Sequence, residues 1–475
     1  MKPVEIESGR IVGQRDGSVD VYRGIPYAAA PVGALRWRAP QTAKPWTGIR
    51  TATEFGFKCL QPANPQDNGT GPETGSEDCL TLNIWAPADS DLNVKPVMVW
   101  IHGGSFTSGS SSAPLYDGTA LARRGVIVVT LNYRLGRFGF FAHPALSAES
   151  RSEPIANYGL MDQIAALAWV NRNISQFGGD PKNVTLFGES SGGVSVQHLM
   201  LTPSAAGLFS KAISQSGRGL EAVTPLAAAE SNGIALIADM GLHADDAQAL
   251  RAISADRIAA LPTPSIGDGF GPILDGQIVR CSVWDGFAKG LQAKLPFIVG
   301  FNSQELPGVF LGDTKTLEDY LDLTAEVRAT ALAAYGREED FKDCVFGDYL
   351  FAVPALRMAQ AHAASGAPTY AYRFAHLALS MRTRLKGAPH ASERQYVFGN
   401  LASSPWPTGA EDAIVANMMG DYWTSFAASN EPTGVTDWPA FGTGESVMDL
   451  AGVTPSVRSL EDIAPILFKI PGVYR

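Results

Sequence analysis

Cysteine is scarce, with four residues in 475. That is too few to staple a chain of this length, so a packed core rather than a disulfide scaffold must hold it. Charge is sparse as well, at 18% of residues, and it leans acidic, with a formal net charge of −10. The missing basic excess argues against a nucleic-acid partner, which calls for a Lys/Arg face. No uninterrupted apolar run approaches the roughly 18 residues of a membrane span. The opening residues Met1-Lys2-Pro3-Val4-Glu5-Ile6-Glu7-Ser8 lack the apolar stretch of a secretory signal. No membrane contact and a cytoplasmic location are therefore expected; a signal removed ahead of residue 1 would make the protein secreted or periplasmic. Cys281 and Cys344 show no metal-ligand spacing and read as small buried hydrophobes. No repeat, low-complexity tract or linker divides the chain, so one domain over residues 1–475 is expected, as a monomer or a homodimer.

What is present is an alternation of strand-like and helix-like segments. Val97-Met98-Val99-Trp100-Ile101 and the run from Val126 to Leu131 are nearly continuous apolar stretches, as in strands buried on both faces. Segments at 211–217, 296–300 and 369–374 read as further strands. Residues 78–85 alternate like a half-buried one, and 9–30 read as paired short strands around turn glycines. Helical spacing covers 161–174, an alanine-rich stretch at 225–265, and 411–429. This pattern predicts an α/β fold with a large, mostly parallel sheet covered on both faces.

One stretch carries chemistry. Asn183-Val184-Thr185-Leu186-Phe187 reads as a buried strand, breaks at Gly188-Glu189-Ser190-Ser191-Gly192, and resumes as a helix from Val194 to Met200. The Gly-x-Ser-x-Gly pattern at a strand-to-helix turn fits a nucleophile elbow, with Ser190 exposed at the strand end. A serine hydroxyl needs a base, and the base needs an orienting acid. At such an elbow the order is Ser, then Asp/Glu, then His. His102 and His143 precede Ser190, His198 lies on the elbow helix, and His243 and His362 fall in helix-like segments. His376, just past a strand, and His390, in a Gly-Ala-Pro-His loop, remain. Beyond the strand ending at Gly300, Glu305 offers a carboxylate, with Asp313 the nearest competitor. The His102-Gly103-Gly104-Ser105 turn after a central strand suits an oxyanion hole, with the amides of Gly104, Ser105 and Ser191 as donors.

These residues together resemble the type-B carboxylesterase family, which spans bacterial para-nitrobenzyl esterase-like enzymes, animal carboxylesterases and cholinesterases. The resemblance runs essentially end to end. It includes Tyr22-Arg23-Gly24-Ile25-Pro26-Tyr27, Glu77-Asp78-Cys79-Leu80, Trp100 to Phe106, Leu131-Asn132-Tyr133-Arg134, Phe177-Gly178-Gly179-Asp180-Pro181, Phe187 to Gly193, and Tyr422-Trp423. It implies an α/β-hydrolase fold and a Ser–Glu–His triad. The family's acid motif lies on Gly300–Glu305 and its His-x-x-Glu motif on His390–Glu393, so the resemblance selects Glu305 and His390. It also implies oxyanion donors at Gly104, Ser105 and Ser191 and a disulfide between Cys59 and Cys79.

The implied activity is hydrolysis of a small-molecule carboxylic ester through an acyl-enzyme, with no cofactor or metal. The same machinery also suits carbamates or amides, and the family contains adhesion proteins that have lost the nucleophile. The chain departs from the family's pattern in places. Leu306 and Pro307 follow the acid where glycine is usual, Ser191 replaces alanine, and the loop between Cys59 and Cys79 has no tryptophan. Without that aromatic platform a choline ester is a poor candidate. Phe106 beside the oxyanion turn is a candidate substrate contact. So are Arg382 and Arg384, which with Lys386 lie just before His390 and would favour an anionic ester.

Overall fold

A computed structural model describes residues 1–62, 75–88, 94–150, 153–220, 222–243, 246–261, 271–306, 325–442 and 444–463. Eleven strands join in one sheet. In chain order they are β1 (Gln14–Asp16), β2 (Val19–Pro26), β3 (Thr81–Pro87), β4 (Lys95–Ile101), β5 (Ile127–Leu131) and β6 (Gly179–Glu189). There follow β7 (Lys211–Gln215), β8 (Phe297–Asn302), β9 (Thr369–Phe374), β10 (Ser446–Leu450) and β11 (Ser456–Ser459). Their spatial order is β11-β10-β9-β8-β7-β6-β4-β5-β3-β2-β1. The block from β10 to β5 is parallel throughout, and β11, β3, β2 and β1 are antiparallel to their neighbours. This is the expected α/β-hydrolase architecture.

Alternate residues of β4 feed two cores, as a two-residue side-chain period requires. Val97, Val99 and Ile101 join one cluster with Trp169, Val170 and Val196, from helices α1 (Tyr158–Asn173) and α2 (Ser191–Leu201). Met98 and Trp100 join another with Phe187, Ile213 and the Met419–Trp423 face of helix α3 (Ala410–Ser429). Helices on both faces explain why the central strands are apolar without alternation. The register pairs Gly188 with Ile101 and Ser214, and Gln215 with Gly300. The carboxyl ends of β4, β6, β7 and β8 therefore open side by side, where ligands bind in open α/β sheets.

Three expectations need adjustment. Residues 81–86 are buried on both faces rather than on one. The polar Asn83 tolerates this because it donates to Ser111 Oγ and Thr130 Oγ1 and accepts the Gly24 amide. The alanine-rich stretch is broken into helices Leu226–Asp239, Ala247–Ala252 and Ala255–Ala259, and its last residues, like Pro307 and Asp313, lie outside the described residues. Cys59 and Cys79 stand as two buried thiols in contact rather than as a bridge. The hydrogen bond to Cys59, together with burial, pushes the Cys79 thiol well above its ordinary range. No helix among the described residues is long and apolar enough to cross a membrane.

Candidate active site

Ser190 sits between β6 and α2 with φ 56° and ψ −124°, a conformation that costs energy for any residue with a side chain. The surroundings enforce it. Its N–H donates to Gln215 O and its carbonyl accepts Val194 N–H, each at 2.9 Å. Gly192 must lack a side chain, because a Cβ there would lie 2.1 Å from Ile101 O. The helix can thus start hard against β4 and leave the serine standing at the sheet edge.

His390 faces that serine, with Nε2 2.9 Å from Ser190 Oγ. Its Nδ1 lies 2.6 Å from Glu305 Oε2, which fixes the tautomer with the proton on Nδ1. The other carboxylate oxygen, Oε1, accepts the Asn302 amide at 2.8 Å and the Ser216 hydroxyl at 2.6 Å. The backbone adds a direct tie, His390 N–H to Glu305 O at 2.8 Å. Gln304 Oε1 accepts the amides of Lys386 and Gly387, and Ser303 Oγ that of Ala388, so the loop carrying His390 is laced to the loop carrying Glu305. The Phe351 ring packs on the imidazole with centroids 4.6 Å apart.

Two further carboxylates lie beside this trio. Glu189 Oε1 is 3.3 Å from His390 Nε2, and its Oε2 is 3.8 Å from Arg394 Nη1. Glu393 accepts from Gln215 Nε2 at 3.0 Å and Asn302 Nδ2 at 2.7 Å. Trp423 Nε1 donates to Gln215 Oε1, which turns the Gln215 amide so that its NH₂ points at Glu393. Burial, reinforced by the charges of Glu189 and Glu305, pushes Glu393 up to about 7. For His390 burial acts downward, but the negative charges of Glu189 and Glu305 and the hydrogen bond to Glu305 outweigh it and carry the imidazole up to about 9.

The turn after β4 carries the amides of Gly104 and Ser105. Ser105 and Phe106 adopt left-handed φ values of 54° and 58°, strain of the kind that accompanies functional turns. Thr107 and Ser108 N–H both fold back to Gly104 O, while Gly104 and Ser105 carry their own amides at the turn. Ser191 begins α2, where a first-turn N–H has no intrahelical acceptor. Phe106 itself packs edge-on to Phe140, at 5.0 Å.

The remaining sequence candidates fall elsewhere. His376 Nε2 contacts Asp412 Oδ1 at 2.9 Å in a buried pair that also takes the Tyr396 hydroxyl. His198 is buried, and burial pulls it down to about 4. His362 Nε2 lies 2.9 Å from Leu295 O, and His143 caps a short helix. His243 is exposed beyond the helix Leu226–Asp239. Arg382 is exposed and binds Glu411 at 2.7 Å, Lys386 binds Glu339 and Asp343, and Arg384 is exposed. Sequence reasoning overlooked Glu189, Ser216, Asn302 and Gln215 and saw Glu393 only as part of a motif. The available signal was the acid placed directly before the nucleophile.

The chain is similar to known proteins along most of its length. Residues 1–458 match the Carboxylesterase family. A fumonisin B1 esterase from Sphingopyxis macrogoltabida is 37% identical over 481 residues, covering 96% of this chain and 87% of that one. The para-nitrobenzyl esterase of Bacillus subtilis (strain 168) is 37% identical over 460 residues, covering 92% of each. A solved PNB esterase structure superposes with a TM-score of 0.86 at 33% identity, over 98% of this chain and 99% of that one. The chain belongs to the carboxylesterase family and is a carboxylic ester hydrolase.

Proposed function

We propose that Ser190 is the nucleophile of this hydrolase, His390 its general base and Glu305 the acid that orients the base. His390 Nε2 takes the Ser190 proton as Oγ attacks the ester carbonyl. The amides of Gly104, Ser105 and Ser191 receive the oxyanion, and Glu305 stabilises the imidazolium that forms. The imidazolium then protonates the leaving alcohol, and water activated by the same nitrogen hydrolyses the acyl-enzyme. The observation that carries this reading is the chain of contacts Ser190 Oγ–His390 Nε2 at 2.9 Å and His390 Nδ1–Glu305 Oε2 at 2.6 Å.

Two relatives are named for a para-nitrobenzyl ester and for fumonisin B1; what they have in common, and what we carry over, is the ester bond. Ser190→Ala is expected to lower kcat for a para-nitrophenyl ester by at least about 10³-fold, the scale on which loss of a triad member acts. An organophosphate should label the wild-type protein on the peptide containing Ser190. Retained turnover by Ser190→Ala, or a label on another residue, would refute the assignment.

A further inference from the structure

Glu189 closes β6 with a buried carboxylate whose two oxygens face different groups. Oε1 lies 3.3 Å from His390 Nε2; it is shielded from water and makes no hydrogen bond among the described residues. Oε2 is pressed by the oxyanion turn, where a Cβ on Gly103 would lie 2.9 Å from it. A charge buried in this way needs a partner. In the neutral form that can take the Ser190 proton, His390 is no such partner. Its one proton is on Nδ1, toward Glu305, so Nε2 turns a lone pair to Glu189. Among the described residues the other cation within 4 Å is Arg394, with Nη1 3.8 Å from Oε2.

Arg394 is fixed in that place. Its Nε donates to Ala391 O at 2.9 Å and its Nη1 to the Tyr116 hydroxyl at 2.7 Å. Tyr116 packs in turn on the rings of Trp100 and Phe398, at 5.1 and 5.5 Å. The guanidinium cannot leave Glu189 without giving up both bonds. The other charged groups around His390 are carboxylates. The loop after β8 brings Glu305, and the segment of His390 itself brings Glu393. The turn Asp348–Ala352 brings Phe351 to the imidazole and Asp348 near Glu305. β9 contributes the Tyr372 hydroxyl, and its Arg373 pairs with Asp449 at 3.1 Å. The end of β7 offers the uncharged Gln215 and Ser216.

We propose that Arg394 is a positioning residue of this esterase: it holds Glu189 and offsets its charge, so that His390 Nε2 faces the remainder of an ion pair rather than a bare carboxylate. This rests on the roles proposed above for Ser190, Glu305 and His390. Without the cation, the negative field at Nε2 grows and favours the imidazolium, so the neutral base forms only at higher pH.

The test is the dependence of kcat/KM for para-nitrophenyl acetate on pH, from about pH 5 to 10, in the full-length protein. Arg394→Met keeps most of the aliphatic stem and removes the charge. It should move the acid limb up by about one pH unit, so that kcat/KM at a fixed pH on the limb falls about tenfold. Arg394→Lys keeps the charge and should hold the limb near that of the wild type. The Glu189→Gln/Arg394→Met double variant removes both charges, and its limb should lie between those of the two single variants. If Arg394→Met fails to fold, the double variant compared with Glu189→Gln makes the same measurement, and the double variant should have the higher limb. A limb that Arg394→Met leaves in place or moves down overturns the proposal. So does a limb that Arg394→Lys moves as far as Arg394→Met, since the charge would then not be the cause. A plateau lowered by both substitutions over an unmoved limb also overturns it and leaves Arg394 a brace for the Ala391 turn. His390→Ala separates the two levels: if turnover and its acid limb survive that change, the Ser190–His390 mechanism itself fails. If turnover is lost there but Arg394→Met leaves the limb in place, only the Arg394 assignment does.

Discussion

Glu189 Oε1 sits 3.3 Å from Nε2 of His390, the same nitrogen that faces Ser190 Oγ at 2.9 Å. With Glu305 on Nδ1, the imidazole is held between two carboxylates, one on each nitrogen. Burial alone would depress its pKa, yet the negative charges prevail and raise it to about 9. Only the neutral ring can take the Ser190 proton, so the resting enzyme must lose a proton from His390 before it can act. The expected profile is a kcat/KM that rises with pH and continues to rise beyond about 6.5, where an ordinary histidine would have finished titrating.

Replacing Glu189 with glutamine tests the cause of that shift. The substitution removes a negative charge that favours the imidazolium, so the His390 pKa falls and the neutral base becomes available at lower pH. The acid limb of kcat/KM should therefore move toward lower pH in Glu189→Gln. Profiles measured from about pH 5 to 10 will show it. An acid limb that does not move would mean that His390 does not feel the Glu189 charge.

Phe351 supports the same imidazole from the other side. It belongs to a single π-helical turn, Asp348–Ala352, an irregularity often found at functional sites. Gly347, just before that turn, is close enough to Glu305 that a Cβ would lie 3.0 Å from the Glu305 Cβ. One short segment thus backs both Glu305 and His390. Phe351→Ala should cost about 3–5 kcal/mol of stability as a core truncation, read by urea unfolding. It should also lower kcat more than it raises KM, because a loosened ring spends less time aimed at Ser190. A variant with the stability loss but normal kcat would leave Phe351 a packing residue only.

That Ser190, Glu305 and His390 meet in one chain of contacts was legible because motif, strand ends and chain order each constrain them locally. Glu189 was visible as a letter, but its role depends on His390, which only the fold brings to it. Ser216, Asn302, Gln215 and Trp423 are similar: each belongs to a strand end or helix whose neighbours are set by the sheet order β8-β7-β6. The antiparallel edge strand β11 escaped notice because its four residues are all exposed and carry no apolar alternation. β10 escaped because a buried Asp449, whose charge is met by Arg373 at 3.1 Å, interrupts its apolar run.

Cys59 and Cys79 lie in thiol contact at the two ends of a polar segment of about 20 residues. Oxidising them to a disulfide would close that segment, and a loop of this size corresponds to about 3 kcal/mol of stabilisation. Protein exposed to oxidised glutathione should lose two hydrogens by mass spectrometry and melt at a higher temperature than protein kept in dithiothreitol. Cys79→Ser should melt alike under both conditions. If the wild type does too, the bridge contributes nothing.

Arg134 and Asp162 form the most deeply buried ion pair among the described residues, with two guanidinium nitrogens each 2.7 Å from the carboxylate and both side chains nearly inaccessible. Asp162 also accepts the Arg134 backbone amide at 3.0 Å, and Arg134 reaches on to Arg38 O at 2.9 Å. The pair thus pins the segment after β5 to helix α1, behind the oxyanion turn. Taking away the arginine leaves a carboxylate stranded in the core, a change that typically costs about 3–5 kcal/mol. Replacing both partners by apolar residues of similar size strands no charge and leaves only the Arg134 amide and the Arg38 carbonyl without their partners. Arg134→Met should therefore destabilise strongly, whereas Arg134→Met combined with Asp162→Leu should recover a large part of the loss. Chemical denaturation of the three proteins gives the coupling directly. Equal destabilisation of the single and double variants would mean that the cost comes from lost packing and the lost amide acceptor rather than from the stranded charge.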